Sequence, residues 1–230
     1  MKPYVISHMM MSVDGRIDCP MVDKISGEEY YTALDSFGVS SKLSGRVTAA
    51  LECSAVEREA EPCAGAPLAS ESINKATDSD AYTIVVDTHG RLQISAAYAD
   101  GHPLLVVMSQ NVPQEHLQAL RDAHVSFIAV GNGAIDLARA LELLGSEFGV
   151  KRLVVVGGGN INGGFLEAGL IDEVSVMVAA GIDGRRGETA VFDGCHWKGA
   201  LPYRLKLQSV EQVEGTETIW IRYQYLKDQQ

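Results

Sequence analysis

The glycine-rich turn at residues 157–159 constrains the fold more than any other part of the chain. It follows the β-branched run Val154-Val-Val, which is typical of a buried parallel strand, and a helical pattern begins within two residues. Glycines allow positive φ and let a ligand approach where a Cβ would clash. The unpaired N–H groups that open the helix, near residues 160–164, carry the positive end of its dipole. The stretch therefore predicts a site for phosphate or pyrophosphate, and a tight turn without a ligand is the alternative.

The spacing of these glycines matches neither of the two common nucleotide fingerprints. It does not give the dinucleotide pattern G-x-G-x-x-G, and no Lys-Ser/Thr follows to make a Walker loop. The turn also lies late, at residue 157 of 230, whereas a dinucleotide fold usually carries its fingerprint on the first strand.

The rest of the chain alternates in the manner of an α/β protein. Apolar runs predict four strands, at 82–86, 104–108, 125–130 and 150–156. Helical spacing predicts two helices, over 113–123 and 136–148, and this rhythm implies parallel strands with right-handed crossovers. Three further strand-like runs follow, with no helix between the final two: 173–179, 203–210 and 217–225. We therefore predict a single α/β domain over residues 1–230, whose mixed, mostly parallel sheet is flanked by helices and has an antiparallel C-terminal edge.

The composition is that of one globular domain, and the net charge argues against some classes of binding partner. The chain is 46% hydrophobic and 21% charged, and its 230 residues can bury one substantial core. A formal charge of −11 opposes nucleic acid and anionic membranes, and no stretch approaches the roughly 18 apolar residues of a membrane helix. The four cysteines lack Cys-x-x-Cys spacing, so we expect free thiols in a reducing cytoplasm and no metal site: Cys19, Cys53, Cys63 and Cys195.

Three motifs follow one another along the chain in a recognisable order. The segment 2–17 contains a strand and the turn Ser12-Val-Asp-Gly-Arg-Ile, and 85–92 is an apolar strand ending in Asp-Thr with Arg91 shortly after. The glycine turn and its helix then run into Gly169-Leu-Ile-Asp-Glu. Together the motifs resemble the pyrimidine reductase family of riboflavin biosynthesis, which is the C-terminal reductase domain of a bifunctional deaminase/reductase. That family belongs to the dihydrofolate reductase-like superfamily.

The resemblance implies a dihydrofolate reductase-like fold, a homodimer in contact through its late strands, and an NADPH-dependent reduction of a ribosylaminopyrimidine 5′-phosphate. In that chemistry a hydride reaches C1′ of a ring-opened ribose, present as an imine or aldehyde. The residues that we predict to bind the cofactor are Thr48, Glu52, Thr88, Arg91, Gly131, Gly157, Gly158, Gly159, Asn160, Ile161 and Asn162. Thr88 and Arg91 offer hydroxyl and basic donors for the 2′-phosphate, and a capped surface turn is the alternative for both.

Ser12, Asp14 and Val156 are the residues predicted at the substrate end. Asp14 follows a strand tip, where a carboxylate can bind a ring N–H or donate a proton if burial raises its pKa. The alternative is an Asp-Gly turn in which the carboxylate caps backbone groups. For His8, on the first strand, a satisfied core or surface histidine is the simpler interpretation.

The substrate side departs from the family pattern. The usual "A-D-D-P-x-L-T-x-R" after Thr48 is replaced by Ala49-Ala-Leu-Glu-Cys-Ser, and an Arg expected about three helical turns before Thr48 is absent. Val156 stands where the family often has a carboxylate. Because Arg is the natural bidentate partner of phosphate, the pattern indicates a reductase with a different or unphosphorylated small-molecule substrate.

Two other functions stay open. A dihydrofolate or pterin reductase shares the fold and the late glycine turn, but it needs a carboxylate on its first long helix, for which Glu28, Glu29 and Asp35 are the candidates. A non-catalytic NADPH-binding protein keeps the cofactor site and loses the substrate side.

Overall fold

A computed structural model describes residues 1–17, 19–59, 68–196 and 202–227 of the chain. Its strands are β1 (Tyr4–Met11), β2 (Ser41–Gly45), β3 (Val56–Glu59), β4 (Ser72–Asn74), β5 (Thr83–Val86), β6 (Leu92–Ile94), β7 (Tyr98–Ala99), β8 (His102–Met108), β9 (Ser126–Ala129), β10 (Arg152–Val155), β11 (Glu173–Val178), β12 (Leu205–Gln212) and β13 (Ile219–Tyr225). Its helices are α1 (Cys19–Val22), α2 (Glu29–Asp35), α3 (Arg46–Glu52), α4 (Gln114–Asp122), α5 (Leu137–Ser146) and α6 (Gly159–Glu167).

The chain folds as two compact units. Unit 1 comprises Met1–Pro3 and Val39–Leu153, and unit 2 comprises Tyr4–Gly38 and Val154–Gln230. The boundary between them falls within β10. The glycine turn at residues 157–159 therefore belongs to unit 2, whereas the β–α–β segment that precedes it belongs to unit 1 as far as Leu153.

Unit 1 is built on a parallel sheet in the strand order β2, β5, β8, β9. All four residues of β5 are buried, which suits a strand covered on both faces. Its last residue, Val86, pairs with Gly45 of β2 and with Val107 of β8, so the carboxyl ends of adjacent strands lie side by side. β4 adds an antiparallel strand beside β9, in a region where the sequence shows no regular pattern.

The helices of unit 1 pack as their sequence periodicity predicts. Leu117 and Leu120, on one face of α4, join a buried cluster with Val106 and Phe127. Asp136 caps α5 because its side chain accepts a hydrogen bond from the backbone N–H of Arg139 at 2.9 Å. The predicted helices over 113–123 and 136–148 are thus confirmed, with one or two residues fewer at each end.

Unit 2 combines a parallel pair with an antiparallel edge. β1 runs parallel to β11, β13 is antiparallel to β11, and β12 is antiparallel to β13. Ile6 of β1 packs with Leu34, Phe37 and Val154. The predicted α/β class, with a mixed, mostly parallel sheet and an antiparallel C-terminal edge, is confirmed. Within the described residues, no helix has the length and apolar character needed to span a membrane.

Candidate active site

In unit 1 several predicted residues lie at the carboxyl edge of the parallel sheet. α3 starts immediately after β2, and this places half-buried Thr48 in its first turn and exposed Glu52 at its end. β5 ends at Val86, and the turn 87–91 that follows contains Thr88 and Arg91, both half-buried. Because β2 and β5 are adjacent, the segments of Thr48 and Thr88 leave the sheet side by side. The sequence placed them at this edge correctly.

The turn after β5 is hydrogen-bonded to the segment that follows β8. The Thr88 carbonyl accepts hydrogen bonds from the Ser109 hydroxyl at 2.7 Å and from the Ser109 N–H at 3.2 Å. The next amide, that of Gln110, donates to the Gly131 carbonyl at 2.8 Å. Thr88 and Gly131 are therefore brought to the same edge by the backbone that follows β8.

The backbone conformation at Gly131 requires glycine whether or not a ligand binds there. Its φ is +86°, and a Cβ at this position would collide with the Ala134 carbonyl and the Asp136 amide. The tight turn that leads into the α5 cap is thus sufficient to require glycine here. A cofactor contact for Gly131 stays a prediction.

In unit 2 the predicted glycine turn forms the start of α6. Gly157 has φ +105°, Gly158 is extended, and Gly159 begins the helix. The amides of Ile161 and Asn162 donate to the Gly158 carbonyl at 2.9 and 3.1 Å. The amides of Gly159 and Asn160 precede the first helical hydrogen bond, and they face the end where a helix dipole favours an anion. The geometry therefore fits the predicted pyrophosphate turn.

Part of the glycine content of α6 serves packing against a later segment. A Cβ on Gly159 would collide with the Ala190 carbonyl, and one on Gly163 would collide with the Asp193 carbonyl. The Asp193 amide donates to the Gly159 carbonyl at 3.0 Å, and the fully buried Asn162 donates to the Val191 carbonyl at 2.8 Å. Asn162 thus anchors the 190–193 segment, a role that the sequence pattern did not reveal.

Asp14 lies in a hydrogen-bonded turn at the end of β1. Its carboxylate accepts from the Ser12 hydroxyl at 2.7 Å and from the amides of Asp183 and Gly184 at 2.9 and 3.0 Å. These hydrogen bonds, led by that of Ser12, hold the pKa of Asp14 well below its usual range although the side chain is exposed. Ser12 and Asp14 are brought together as predicted. Their contacts support the turn-capping role for Asp14, and its catalytic role stays a prediction.

Val156, the third residue predicted at the substrate end, is half-buried and packs against an apolar cluster. That cluster contains Ile6, Leu34, Phe37 and Val154. A carboxylate at position 156 would lie beside these apolar side chains, so the valine fits the local packing. Contact between Val156 and a substrate stays a prediction.

Two polar residues near the Thr88 turn were not singled out from the sequence. Asp87 is 1% exposed, and its Oδ2 accepts from the Leu92 amide at 2.8 Å. His116, on α4, lies against Gly90 of the same turn. Asp87 was visible as the acidic residue of the Asp-Thr motif, but the contact with His116 joins segments 26 residues apart and left no local signal.

Comparison with known proteins shows the family. The RibD C-terminal domain model matches residues 3–218. The chain belongs to this family. A 2,5-diamino-6-ribosylamino-4(3H)-pyrimidinone 5′-phosphate reductase of Methanothermobacter thermautotrophicus is 29% identical over 198 residues, which span 84% of this chain and 85% of that protein. The protein of the same name from Archaeoglobus fulgidus is 26% identical, over 84% of this chain and 88% of that protein.

Solved structures agree on the fold of this RibD C-terminal domain protein. RibD of Acinetobacter baumannii superposes with a TM-score of 0.70 at 21% identity, over 98% of this chain and 58% of that one. A pyrimidine reductase-like protein of Corynebacterium diphtheriae gives 0.70 at 15% identity, over 97% and 92%. The predicted family resemblance is confirmed, and membership of this reductase family implies a nicotinamide cofactor. The α6 turn, with positive φ at Gly157 and open helix amides, fits the phosphates of such a cofactor.

Proposed function

We propose that the protein is an NADPH-dependent reductase of a ribosylaminopyrimidine 5′-phosphate in riboflavin biosynthesis. The observation that carries this proposal is the match to reductases of that name over 84% of the chain. The reaction adds a hydride to C1′ of the ring-opened ribose, and the product carries a ribityl chain. The substrate is accordingly a small, polar pyrimidine.

The cofactor supplies the hydride from its nicotinamide ring. In unit 2, the amides of Gly159 and Asn160 at the start of α6 are suited to a pyrophosphate, and Gly157 supports the required turn. In unit 1, Thr88 and Arg91 are suited to a 2′-phosphate, because a hydroxyl and a guanidinium both donate to phosphate oxygens. These donors favour NADPH over NADH.

Asp14 contributes through position and charge under this proposal. Its depressed pKa keeps the carboxylate ionised at neutral pH, so it is a poor source of the proton that the imine nitrogen gains. Its two oxygens instead hold the segment 183–184 against the turn after β1. The substitution Asp14→Asn keeps one acceptor oxygen for this segment and cannot donate an acidic proton, so turnover that persists in this variant would exclude acid catalysis by Asp14.

The direct test is NADPH oxidation at 340 nm with 2,5-diamino-6-ribosylamino-4(3H)-pyrimidinone 5′-phosphate. We expect turnover with NADPH and slower turnover with NADH, and we expect Thr88→Ala/Arg91→Ala to reduce the preference. The dephosphorylated substrate is the matched comparison, because the arginine that the family pattern places before Thr48 and the A-D-D-P-x-L-T-x-R motif after it are absent from this sequence. Stoichiometric NADPH binding without turnover would favour the non-catalytic alternative, and turnover of dihydrofolate would favour the pterin reductase.

We also propose that the two units form one reductase domain and that the protein is a homodimer in contact through β12. The family model runs through both units. β12 hydrogen-bonds to β13 at the end of the strand order, and every residue of β12 is exposed. Its exposed apolar residues include Leu207 (54%) and Val210 (58%), and an edge strand of this kind readily accepts another strand. Light scattering should give about twice the 24.7 kDa chain mass, and Leu207→Lys/Val210→Lys should give the monomer.

We propose a cytoplasmic location, which is consistent with the free cysteine thiols. Cys53 and Cys195 are free, and Cys19 and Cys63 lack described side chains. Free thiols persist in a reducing compartment.

A further inference from the structure

The turn after β5 rests on the imidazole of His116. Gly90, at φ +64°, lies so close to this ring that a Cβ built on it would be 2.9 Å from Cδ2 and 3.1 Å from Nε2 of His116. His116 Nε2 is buried and has no hydrogen-bond partner among the described residues. The ring nitrogen therefore faces the segment that also contains Thr88 and Arg91.

The same turn contains a buried carboxylate with an unused acceptor. Asp87 is 1% exposed, its Oδ2 and its carbonyl hold the amides of Leu92 and Gly90, and its Oδ1 has no partner in the described part of the chain. Burial lowers the pKa of His116, and the negative charge of Asp87 partly offsets this by raising it. An imidazole nitrogen and a carboxylate oxygen without partners among the described residues thus lie at one turn, and the charge of Asp87 favours a proton on the imidazole.

We propose that His116 is a positioning residue that takes up a proton from solvent when a 2′-phosphate binds at Thr88 and Arg91, which makes NADPH affinity depend on His116 protonation. This inference rests on the proposed function, since it assumes the 2′-phosphate at this turn. A phosphate dianion close to His116 favours the imidazolium. By thermodynamic reciprocity, the imidazolium then strengthens binding of the phosphate. NADH lacks this phosphate, so the pH dependence of its affinity does not involve His116.

Other charged or titratable side chains lie on the two elements in contact. The turn contributes Asp87, His89 and Arg91, and α4 contributes Glu115, Arg121 and Asp122. His89, Glu115 and Asp122 are exposed, and Arg121 lies over the Phe127 ring at 5.1 Å. Asp87 is the charged group that acts on His116, so Asp87→Asn should weaken the proton linkage in the same direction as removal of the imidazole.

The test is calorimetric titration of the full chain with NADPH and NADH at pH 5.5, 6.5 and 7.5, in two buffers of different ionisation enthalpy. The variants are His116→Asn, His116→Gln and Asp87→Asn. His124→Asn is the matched control, because His124 is exposed at the end of α4 and has φ +55°, which asparagine tolerates. Acidification also protonates the 2′-phosphate itself, whose second pKa is about 6, so each variant is compared with the parent at the same pH.

The quantity compared is the ratio of the NADPH affinity of the parent to that of His116→Asn. We expect this ratio to rise at least about threefold when the pH falls from 7.5 to 5.5. One linked proton can change an affinity by at most about tenfold per pH unit. The buffer comparison should show greater proton uptake in the parent on binding NADPH, and the change of NADH affinity with pH should be equal in all variants. A parent-to-variant ratio that is constant with pH, or an equal change for NADH, overturns the inference and leaves the proposed function intact. Failure of the parent to bind NADPH overturns both.

Discussion

A buried histidine in unit 2 should make the stability of the protein fall on mild acidification. His8 is fully buried in β1, and its ring stacks on Tyr30 with centroids 4.8 Å apart. Its Nδ1 lies 2.9 Å from the Ser175 hydroxyl, which also accepts from the Trp220 indole at 2.7 Å. The Ser175 hydroxyl can donate to only one group, so the neutral His8 ring completes this chain as an acceptor. Protonation would remove that acceptor inside an apolar cluster.

The size of the effect follows from the pKa. The pKa of His8 falls from 6.5 to about 4, and burial is the largest cause. A backbone hydrogen bond with Tyr30 opposes this shift, and the positive charge of Arg222 adds to it. At a pH between these two pKa values, His8 binds a proton in the unfolded chain but not in the folded chain. The contribution of His8 to the free energy of unfolding is therefore fully present above pH 6.5, and it is lost as the pH falls toward 4. A tenfold change in proton affinity is worth about 1.4 kcal/mol, which gives a total of about 3 kcal/mol and about 2 kcal/mol of that by pH 5.

Urea denaturation at pH 7.5 and pH 5.0 measures this loss. The comparison variant is His8→Phe, which keeps an aromatic ring for Tyr30 but cannot titrate. We expect the parent to lose about 2 kcal/mol more than the variant between the two pH values. Histidine NMR signals should independently give His8 a pKa below 5.

Equal losses in the parent and in His8→Phe would refute the reasoning. A His8 pKa near 6.5 in the folded protein would do the same, because it would mean that the ring is solvated despite its position in the core. If His8→Phe does not fold, the NMR titration of the parent decides alone.

Three further predictions concern the turns and caps. Gly158→Val should weaken NADPH binding about tenfold or more while the protein stays folded, because position 158 is extended and valine adopts that conformation; unchanged affinity by calorimetry would remove the pyrophosphate from this turn. Asp136→Ala should lower the free energy of unfolding by about 1 kcal/mol and Asp136→Asn by much less, since asparagine also caps a helix. Asp14→Ala should speed hydrogen exchange at the Asp183 and Gly184 amides, and unchanged exchange there would contradict the turn-capping role.

The sequence was most informative where burial alone determines structure. Thr83–Val86 is buried at every position, so its apolar run was sufficient to predict a strand. β4, at Ser72–Asn74, is short and half-exposed, and its pairing with β9 determines its conformation. No pattern within the segment itself could predict it, because the partner lies more than 50 residues away.

The candidate site was predictable in position and less so in detail. The edge that contains Thr88 follows from the alternation of strands and helices, and so does the helix start at Gly159. The reasons for individual residues depended on remote contacts, such as those of Gly159 with Ala190 and of Asn162 with Val191. A glycine required by packing and a glycine required by a ligand look the same in sequence. For His8 the sequence left a core or a surface position open, and the structure buries it fully.

The division of unit 2 between the two ends of the chain has a consequence for synthesis on the ribosome. β1 is made first, yet its partner β11 follows only after unit 1, so the contact between His8 and Ser175 spans 167 residues. During translation the apolar β1 must wait for most of the polypeptide to emerge, whereas residues 39–153 can begin to fold as they appear. We expect stalled nascent chains from which residues 39–153, but not β11, have left the ribosome to protect unit 1 from proteolysis and to leave β1 open to chaperones.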